Sequence, residues 1–329
     1  MKEIMNSHFS GMSHRGQNRA RGWAFHVVNL ISNLEKCIMQ SLVLSLLAIL
    51  LVLCLPCDAG TTANDTMSEV PFSFEKGYVI VHANIKGEKD VELILATGSE
   101  HSVVDSGLLN KYKLPSFYSG EGRIMGNSQD RIYFYSPVTG IRVGNIKGLS
   151  LSMRLGSLAD ASSRVGREIF GIFGADFFKG RVVQFDFRKK VVRFLPDSYS
   201  GTAKSITLPM SYYKEGVTLP IVENVTFDGK KIKTLLDTGD LTVLSLSPAA
   251  MKQLGLSPLP EKSEPRPDKI SSLRFLDYEI AGVPVLLYAK GAGFDRDIKE
   301  YGAVAGISLL QNFASTFDFR GKVVVLEPK

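Results

Sequence analysis

Cysteine and histidine are nearly absent from most of this 329-residue chain. All three cysteines, Cys37, Cys54 and Cys57, lie near the beginning, and only His82 and His101 follow them. The remaining chain therefore cannot build a structural zinc site from Cys and His ligands, and it cannot form an internal disulfide.

Several common enzyme signatures are missing as well. No GxxxxGK(S/T), HExxH or GxSxG motif occurs, which argues against P-loop enzymes, zincins and α/β-hydrolases. The net charge is only +6, and no Lys/Arg run is longer than residues 188–190. A nucleic-acid-binding protein concentrates basic charge, so we expect no nucleic-acid partner. With 44% hydrophobic and 22% charged residues, the composition is that of a globular protein.

A long uncharged run occupies residues 38–55, with basic residues before it and acidic residues after it. This polarity is typical of an export signal, and the run is also long enough for a membrane anchor. We predict that residues 1–59 are the leader with an N-terminal extension and that residues 60–70 are a linker. Whether the leader is cleaved, lipidated or retained stays open. The rest of the chain is expected outside the cytoplasm: periplasmic, secreted or membrane-anchored.

Beyond the linker, short apolar β-type runs alternate with Gly, Asp and Asn turns, which predicts a mainly β fold. Two helical segments stand out. One begins at Asp105 and covers residues 108–112. The other begins at Ser247, has Pro248 at its first helical position and ends at Gly255.

The sequence contains an internal repeat. Residues 174–192 match residues 306–324 at an offset of 132, and residues 95–99 match residues 236–240 at an offset of 141. A repeat of this size indicates two similar structural units. We therefore predict an N-terminal lobe at 71–198 and a C-terminal lobe at 203–329, related by a pseudo-twofold axis.

The repeated motif resembles the active-site turn of the pepsin/retropepsin-like aspartic peptidases. The similarity is carried by residues 235–239 (LLDTG), the weaker 94–98 (ILATG), and a hydrophobic–hydrophobic–Gly signal ending at Gly174 and at Gly306. The resemblance implies a two-lobed double β-barrel, a peptide or protein substrate, no cofactor and no metal. In that family each lobe donates one Asp, and the Thr hydroxyls lock the two turns together.

The chain departs from the family at Ala96, which stands where the first catalytic Asp is expected. Asp105 does not replace it, because the register aligns Asp105 with the helix cap Ser247. Without a second carboxylate beside it, Asp237 is expected to ionise in the normal acidic range. The candidate catalytic residue is Asp237, with Ala96 marking its missing partner, and the supporting turn residues are Thr97, Gly98, Ser99, Thr238 and Gly239.

Three accounts of this departure remain open. The chain is a natural pseudo-peptidase that binds peptides, an active-site knockout of a working peptidase, or one of two chains that pair so that two Asp237 side chains meet. A weaker alternative is an anchored structural β domain with a vestigial cleft. We expect a two-lobed monomer that is inactive or strongly impaired as a peptidase. The Gly-rich residues 117–129 lie where the resemblance places a flap over the substrate.

Overall fold

The structure, a computed structural model, describes the chain after the predicted leader. All of the described residues belong to one compact unit, Ala63–Lys329. The leader 1–59, including the apolar run 38–55, lies outside them, and within them no helix is both long and apolar enough to cross a membrane. The described residues are 67–85, 89–122, 131–196, 201–202, 204–211, 219–290 and 301–329.

The described part of the chain is mainly β, as the short apolar runs predict. The strands are β1 (Ser68–Glu75), β2 (Tyr78–Ile85), β3 (Lys89–Leu95), β4 (Val103–Asp105), β5 (Phe117–Gly122), β6 (Arg131–Val143), β7 (Ile146–Gly156), β8 (Gly171–Phe173), β9 (Val182–Asp186), β10 (Val191–Leu195), β11 (Ile206–Ser211), β12 (Ile221–Val222), β13 (Val225–Phe227), β14 (Lys230–Lys231), β15 (Thr234–Leu236), β16 (Leu244–Leu246), β17 (Arg266–Phe275), β18 (Tyr278–Leu287), β19 (Ala303–Ala305), β20 (Phe313–Asp318) and β21 (Val323–Pro328). The helices are α1 (Ala159–Val165), α2 (Ala175–Phe178), α3 (Pro248–Leu254) and α4 (Ile307–Leu310).

The first half of the described chain contains strands β1–β10, and six of these strands close into a barrel. Around the barrel the order is β2, β3, β8, β4, β7 and β6, and β6 pairs again with β2. Strand β5 forms a hairpin with β6 outside this ring. Apolar side chains fill the barrel because alternate residues of each strand point to one face. Fully buried examples are Val81, Leu93, Val104, Val138 and Met153.

The second half, β11–β21, repeats the central pairings of the barrel. Strand β15 runs parallel to β19, as β3 runs parallel to β8. Leu235 lies opposite Val304, and Ile94 lies opposite Ile172. The residues of these two pairs differ by 141 and 132, the same offsets that the sequence repeat shows.

A six-stranded antiparallel sheet joins the two halves, in the order β1, β10, β9, β20, β21 and β11. At its centre Gln184 lies opposite Thr316, and the Gln184 amide donates a 3.0 Å hydrogen bond to the Thr316 hydroxyl. Gln184 and Thr316 are themselves equivalent positions of the sequence repeat, because they differ by 132. The repeat therefore exchanges β9 with β20 and leaves their pairing unchanged. The rings of Phe185 and Phe317 meet edge to face beside this centre, with 5.7 Å between their centroids.

One predicted helix is present and the other is not. Ser247 caps α3 by accepting a 3.2 Å hydrogen bond from the Ala250 N–H, Pro248 starts the helix, and Gly255 ends it with a φ of 75°. The expected helix 108–112 is replaced by a 3-10 helix, Ser106–Leu108, and turns.

The segment after Asp105 stops early because its backbone turns back on itself. The Leu114 N–H returns to the Leu109 carbonyl, and Lys113 has a φ of 50°. Asp105 nevertheless acts as the predicted cap, accepting hydrogen bonds from the N–H groups of Gly107 and Leu158.

The predicted linker, residues 60–70, overlaps the first strand. Strand β1 begins at Ser68, so the last residues of the predicted linker belong to a strand.

Candidate functional site

The two repeated turns begin where two equivalent strands end. Residues 96–99 follow β3, and residues 237–240 follow β15. The N–H of Ala175 donates to the Ser99 carbonyl, and the N–H of Ile307 donates to the Asp240 carbonyl, both at 2.7 Å. Each turn is therefore held by the first residue of the short helix that follows β8 or β19.

The turns need glycine directly behind them. A Cβ atom on Gly174 would lie 2.7 Å from the carbonyl oxygens of Ser99 and His101, and one on Gly306 would collide with the carbonyl oxygens of Asp240 and Thr242. Because real Cβ atoms do not approach backbone atoms this closely, both positions exclude any larger residue. This explains why the hydrophobic–hydrophobic–Gly signals accompany the two turns in the sequence.

Thr97 and Thr238 link the two turns by four hydrogen bonds. The N–H of Thr97 donates to the Thr238 hydroxyl oxygen at 3.1 Å, and the N–H of Thr238 donates to the Thr97 hydroxyl oxygen at 3.0 Å. The Thr97 hydroxyl donates to the Leu236 carbonyl and the Thr238 hydroxyl to the Leu95 carbonyl, both at 2.8 Å. Both threonines are completely buried, so the hydrogen bonds expected from the motif are present without competition from water.

Two glycine N–H groups, one from each turn, converge on a single carboxylate oxygen. Asp237 Oδ1 accepts hydrogen bonds from the N–H of Gly98 at 2.9 Å and of Gly239 at 2.7 Å. A Cβ on Gly98 would overlap the Asp237 carboxyl, and one on Gly239 would lie 2.7 Å from the Ala96 methyl. Among the described residues, none donates a hydrogen bond to Asp237 Oδ2.

The structure places Ala96 in the position equivalent to Asp237. Ala96 follows β3 as Asp237 follows β15, and its methyl group is buried, with 6% of the residue exposed. Each of these side chains faces the glycine of the opposite turn, Ala96 towards Gly239 and Asp237 towards Gly98. The site thus has one carboxyl group and, opposite it, one methyl group.

The pKa of the Asp237 carboxyl is raised from 3.8 to about 6, and burial is the largest cause. The hydrogen bond from the Gly239 N–H acts against this rise, the negative charge of Asp240 adds to it, and the hydrogen bond from the Gly98 N–H also opposes it. Although part of the Asp237 surface stays accessible, the carboxyl is surrounded by protein atoms, which disfavour its charged form. The expectation that a lone Asp237 ionises in the normal acidic range is therefore wrong.

Asp240 is the site residue that the sequence analysis missed. Its Oδ1 accepts a 2.7 Å hydrogen bond from the Thr242 N–H, and its Oδ2 lies 3.4 Å from the Ser245 hydroxyl. Burial, and then the Asp240 charge, raise the pKa of Tyr288. The sequence repeat is the signal that could have indicated Asp240, because Asp240 occupies the second-half position equivalent to Ser99 in the first half.

Ser99 and the β5–β6 hairpin complete the surroundings of the first turn. The Ser99 hydroxyl donates to the His101 carbonyl at 2.8 Å. The His101 ring stands edge-on to Tyr135, a β6 residue whose hydroxyl accepts a 2.9 Å hydrogen bond from Arg154 Nε. Phe117 of β5 pairs with Tyr135, so the hairpin begins in the region predicted to be a flap. Residues 123–130 of that region lie outside the described residues.

No known protein-family model matches the sequence, and no curated protein matches it either. Within the described ranges, no group of three or more His, Cys, Asp or Glu side chains is placed to hold a metal ion. The site is defined by its own geometry: two hydrogen-bonded turns, the Asp237 carboxyl group with its raised pKa, and the Ala96 methyl group in the equivalent position.

Proposed function

We propose that the chain is a two-lobed aspartic-peptidase-like protein whose carboxylate pair is incomplete, and that its cleft binds extended peptides without cleaving them. The observation that carries the proposal is the pair of turns cross-linked through Thr97 and Thr238, with Asp237 on one side and Ala96 on the other. The matching strand registers of the two halves support the same ancestry.

Hydrolysis by this kind of site needs two carboxyl groups that share one proton. One of them acts as the base on a water molecule, and the other acts as the acid towards the peptide carbonyl. Ala96 can do neither. Asp105, the carboxylate of the first half that a DxG pattern offers as a substitute, is occupied as a helix cap by the N–H groups of Gly107 and Leu158.

Peptide binding does not require the second carboxyl group. An extended peptide is recognised mainly through its backbone N–H and C=O groups, and exposed strand edges supply the matching groups. Strand β5 pairs with β6 and has no second strand partner among the described residues. It is therefore the strand of the flap-like hairpin that can pair with a bound peptide.

The proposal is tested by measuring binding and turnover on one preparation of the full chain. We expect calorimetry to detect binding of extended peptides and mass spectrometry to detect cleavage only at background level. Asp237→Asn is the matched control for turnover. Absence of binding to a broad peptide library would contradict the proposal.

The alternative in which two chains pair through two Asp237 side chains gives a different result. It predicts robust turnover that increases with the square of the protein concentration and disappears in Asp237→Asn. Turnover that survives Asp237→Asn would place the chemistry at another site.

We further propose that the protein binds its ligand outside the cytoplasm, because the run 38–55 has the pattern of an export signal or anchor.

A further inference from the structure

We propose that the protonated Asp237 side chain donates a hydrogen bond from Oδ2 to a backbone carbonyl of the bound peptide, so that the cleft captures peptide in mildly acidic solution and releases it near neutral pH. This inference rests on the proposed function as a peptide-binding protein. It identifies Asp237 as the group whose protonation depends on pH, and it states that peptide affinity falls as the pH rises.

The hydrogen bonds of Asp237 determine which oxygen carries the proton. Oδ1 already accepts from the N–H groups of Gly98 and Gly239. A proton on Oδ1 would point towards these two donors, so the protonated form keeps Oδ1 as the acceptor and carries its hydrogen on Oδ2. Among the described residues, none interacts with Oδ2 through a hydrogen bond, and Asp237 is partly accessible, so this hydrogen is available to a ligand.

Ala96 makes that hydrogen available to a ligand. In a two-carboxylate site the shared proton lies between the two side chains, because like charges held close together cannot both ionise. Here the equivalent position is a buried methyl group, which cannot accept a hydrogen bond. The substitution therefore turns a proton held within a pair into a hydrogen-bond donor for the peptide.

The charged and titratable groups around Asp237 favour the protonated form. Asp240, on the same turn, is the charged side chain among the described residues that acts on Asp237, and its negative charge opposes ionisation. Tyr288, which follows β18, senses the same Asp240 charge. Beyond the first turn, Glu100 and His101 lie 3.7 Å apart as a pair. Among the described residues, the groups shown to approach the carboxyl are Gly98 and Gly239, with the Ala96 methyl beside Gly239, and none of the three carries a titratable side chain.

Ionisation of Asp237 changes the site in two ways that both weaken binding. The hydrogen bond to the peptide carbonyl is lost, and a carboxylate oxygen then faces a carbonyl oxygen in a site from which the peptide excludes water. Burying a charge without a partner is unfavourable. If only the protonated form binds, the apparent dissociation constant is the intrinsic value divided by the protonated fraction of Asp237. With a pKa of about 6, this fraction falls about 30-fold between pH 5 and pH 7.5, and the affinity falls with it.

Asp237→Asn separates this inference from a general effect of pH. The Asn side chain keeps a carbonyl oxygen for the two glycine N–H groups and places a permanent N–H donor where the Oδ2 hydrogen would be. We therefore expect the variant to bind peptide equally at pH 5 and pH 7.5, with the affinity that the unaltered chain shows at pH 5. Asp240→Asn removes the neighbouring charge, so its pH profile should shift to lower pH.

The probe is a library of end-capped decapeptides without Asp, Glu, His, Lys or Arg, so that the ligand itself does not titrate. Calorimetry on the full chain measures affinity from pH 4.5 to 8, and the carboxyl ¹³C shift of Asp237 reports its protonation without any ligand. A fall in affinity centred where that shift titrates, together with a flat profile for Asp237→Asn, is the expected result.

Three outcomes would overturn the inference. Equal binding by the unaltered chain at pH 5 and pH 7.5 would remove the proton-linked donor while leaving the peptide-binding function intact. An equal fall in affinity in Asp237→Asn would assign the pH dependence to another group. Absence of binding by every variant at every pH, with correct folding confirmed by circular dichroism, would overturn this inference and the proposed function together.

Discussion

Thr97 and Thr238 each donate their backbone N–H to the other's hydroxyl oxygen, and each hydroxyl donates to the residue that precedes the opposite turn. The four bonds form a closed and fully buried arrangement, so neither turn can shift without breaking bonds in the other. The position of Asp237 relative to Ala96 is thus fixed by two residues that carry no charge.

The first prediction concerns these threonines. Thr97→Ala leaves the Thr238 N–H and the Leu236 carbonyl buried without partners, and each such group costs about 1–3 kcal/mol. We expect chemical denaturation to show a free energy of unfolding lower by about 2–4 kcal/mol. Thr97→Ser keeps the hydroxyl and is the matched control, expected to retain most of the stability. Equal stability of the Ala and Ser variants would show that the hydrogen bonds contribute nothing.

The second prediction is repair of the carboxylate pair. Ala96→Asp places a carboxyl group opposite the Gly239 N–H in the position equivalent to Asp237, and the two groups should then share one proton. We expect peptide hydrolysis that is faster in acidic solution and is blocked by a transition-state mimic of the pepstatin type. Ala96→Asn, of the same size but unable to act as acid and base, is the control. A folded Ala96→Asp protein that cleaves nothing between pH 3 and pH 7 would remove most of the support for peptidase ancestry.

The third prediction concerns stability and pH. Because the folded-state pKa of Asp237, about 6, lies above its ordinary value of 3.8, folding favours the protonated form. This contribution to stability is fully present below about pH 4 and is lost as the pH rises through 6. Asp237→Asn removes it, so the variant should gain stability relative to the unaltered chain by about 2–3 kcal/mol on going from pH 4 to pH 7.5. A pH-independent difference in urea midpoint would contradict the raised pKa.

The fourth prediction concerns the close packing behind the first turn. Gly174→Ala would press a methyl group against the carbonyl oxygens of Ser99 and His101, so the turn that carries Ala96 must move. Gly166→Ala is the control, because Gly166 has a φ of 79° but open space around it. The control should lose about 1 kcal/mol of stability from backbone strain alone. We expect Gly174→Ala to lose more, and also to weaken peptide binding, as measured by calorimetry.

Much of the fold could be predicted from the sequence because the decisive signals are local or repeated. The apolar runs predict the strands, Ser247 and Gly255 delimit helix α3, and the offsets of 132 and 141 reappear in the strand registers. The helix expected at 108–112 failed because Lys113 and Leu114 turn the chain back through contacts that propensity does not encode.

The electrostatics of the site could not be predicted in the same way. The sequence shows that Asp237 lacks a partner carboxylate, which by itself suggests an ordinary pKa. Burial is a property of the folded molecule, and it raises the pKa without any partner. Asp240 was overlooked because its effect depends on its place in the folded turn, which the motif residues Asp237, Thr238 and Gly239 do not reveal.

The self-matching pair Gln184 and Thr316 has a consequence for how the chain folds. Strand β9 pairs with β20, which lies more than a hundred residues later in the sequence. Such long-range pairing slows folding. Until β20 has been synthesised, β9 is an open edge with the alternating apolar residues Val183 and Phe185 behind it. An open edge of this kind recruits other strands. A chain interrupted near residue 198 would therefore associate with its own copies through β9, and the second half acts within the intact chain as the cover that prevents it.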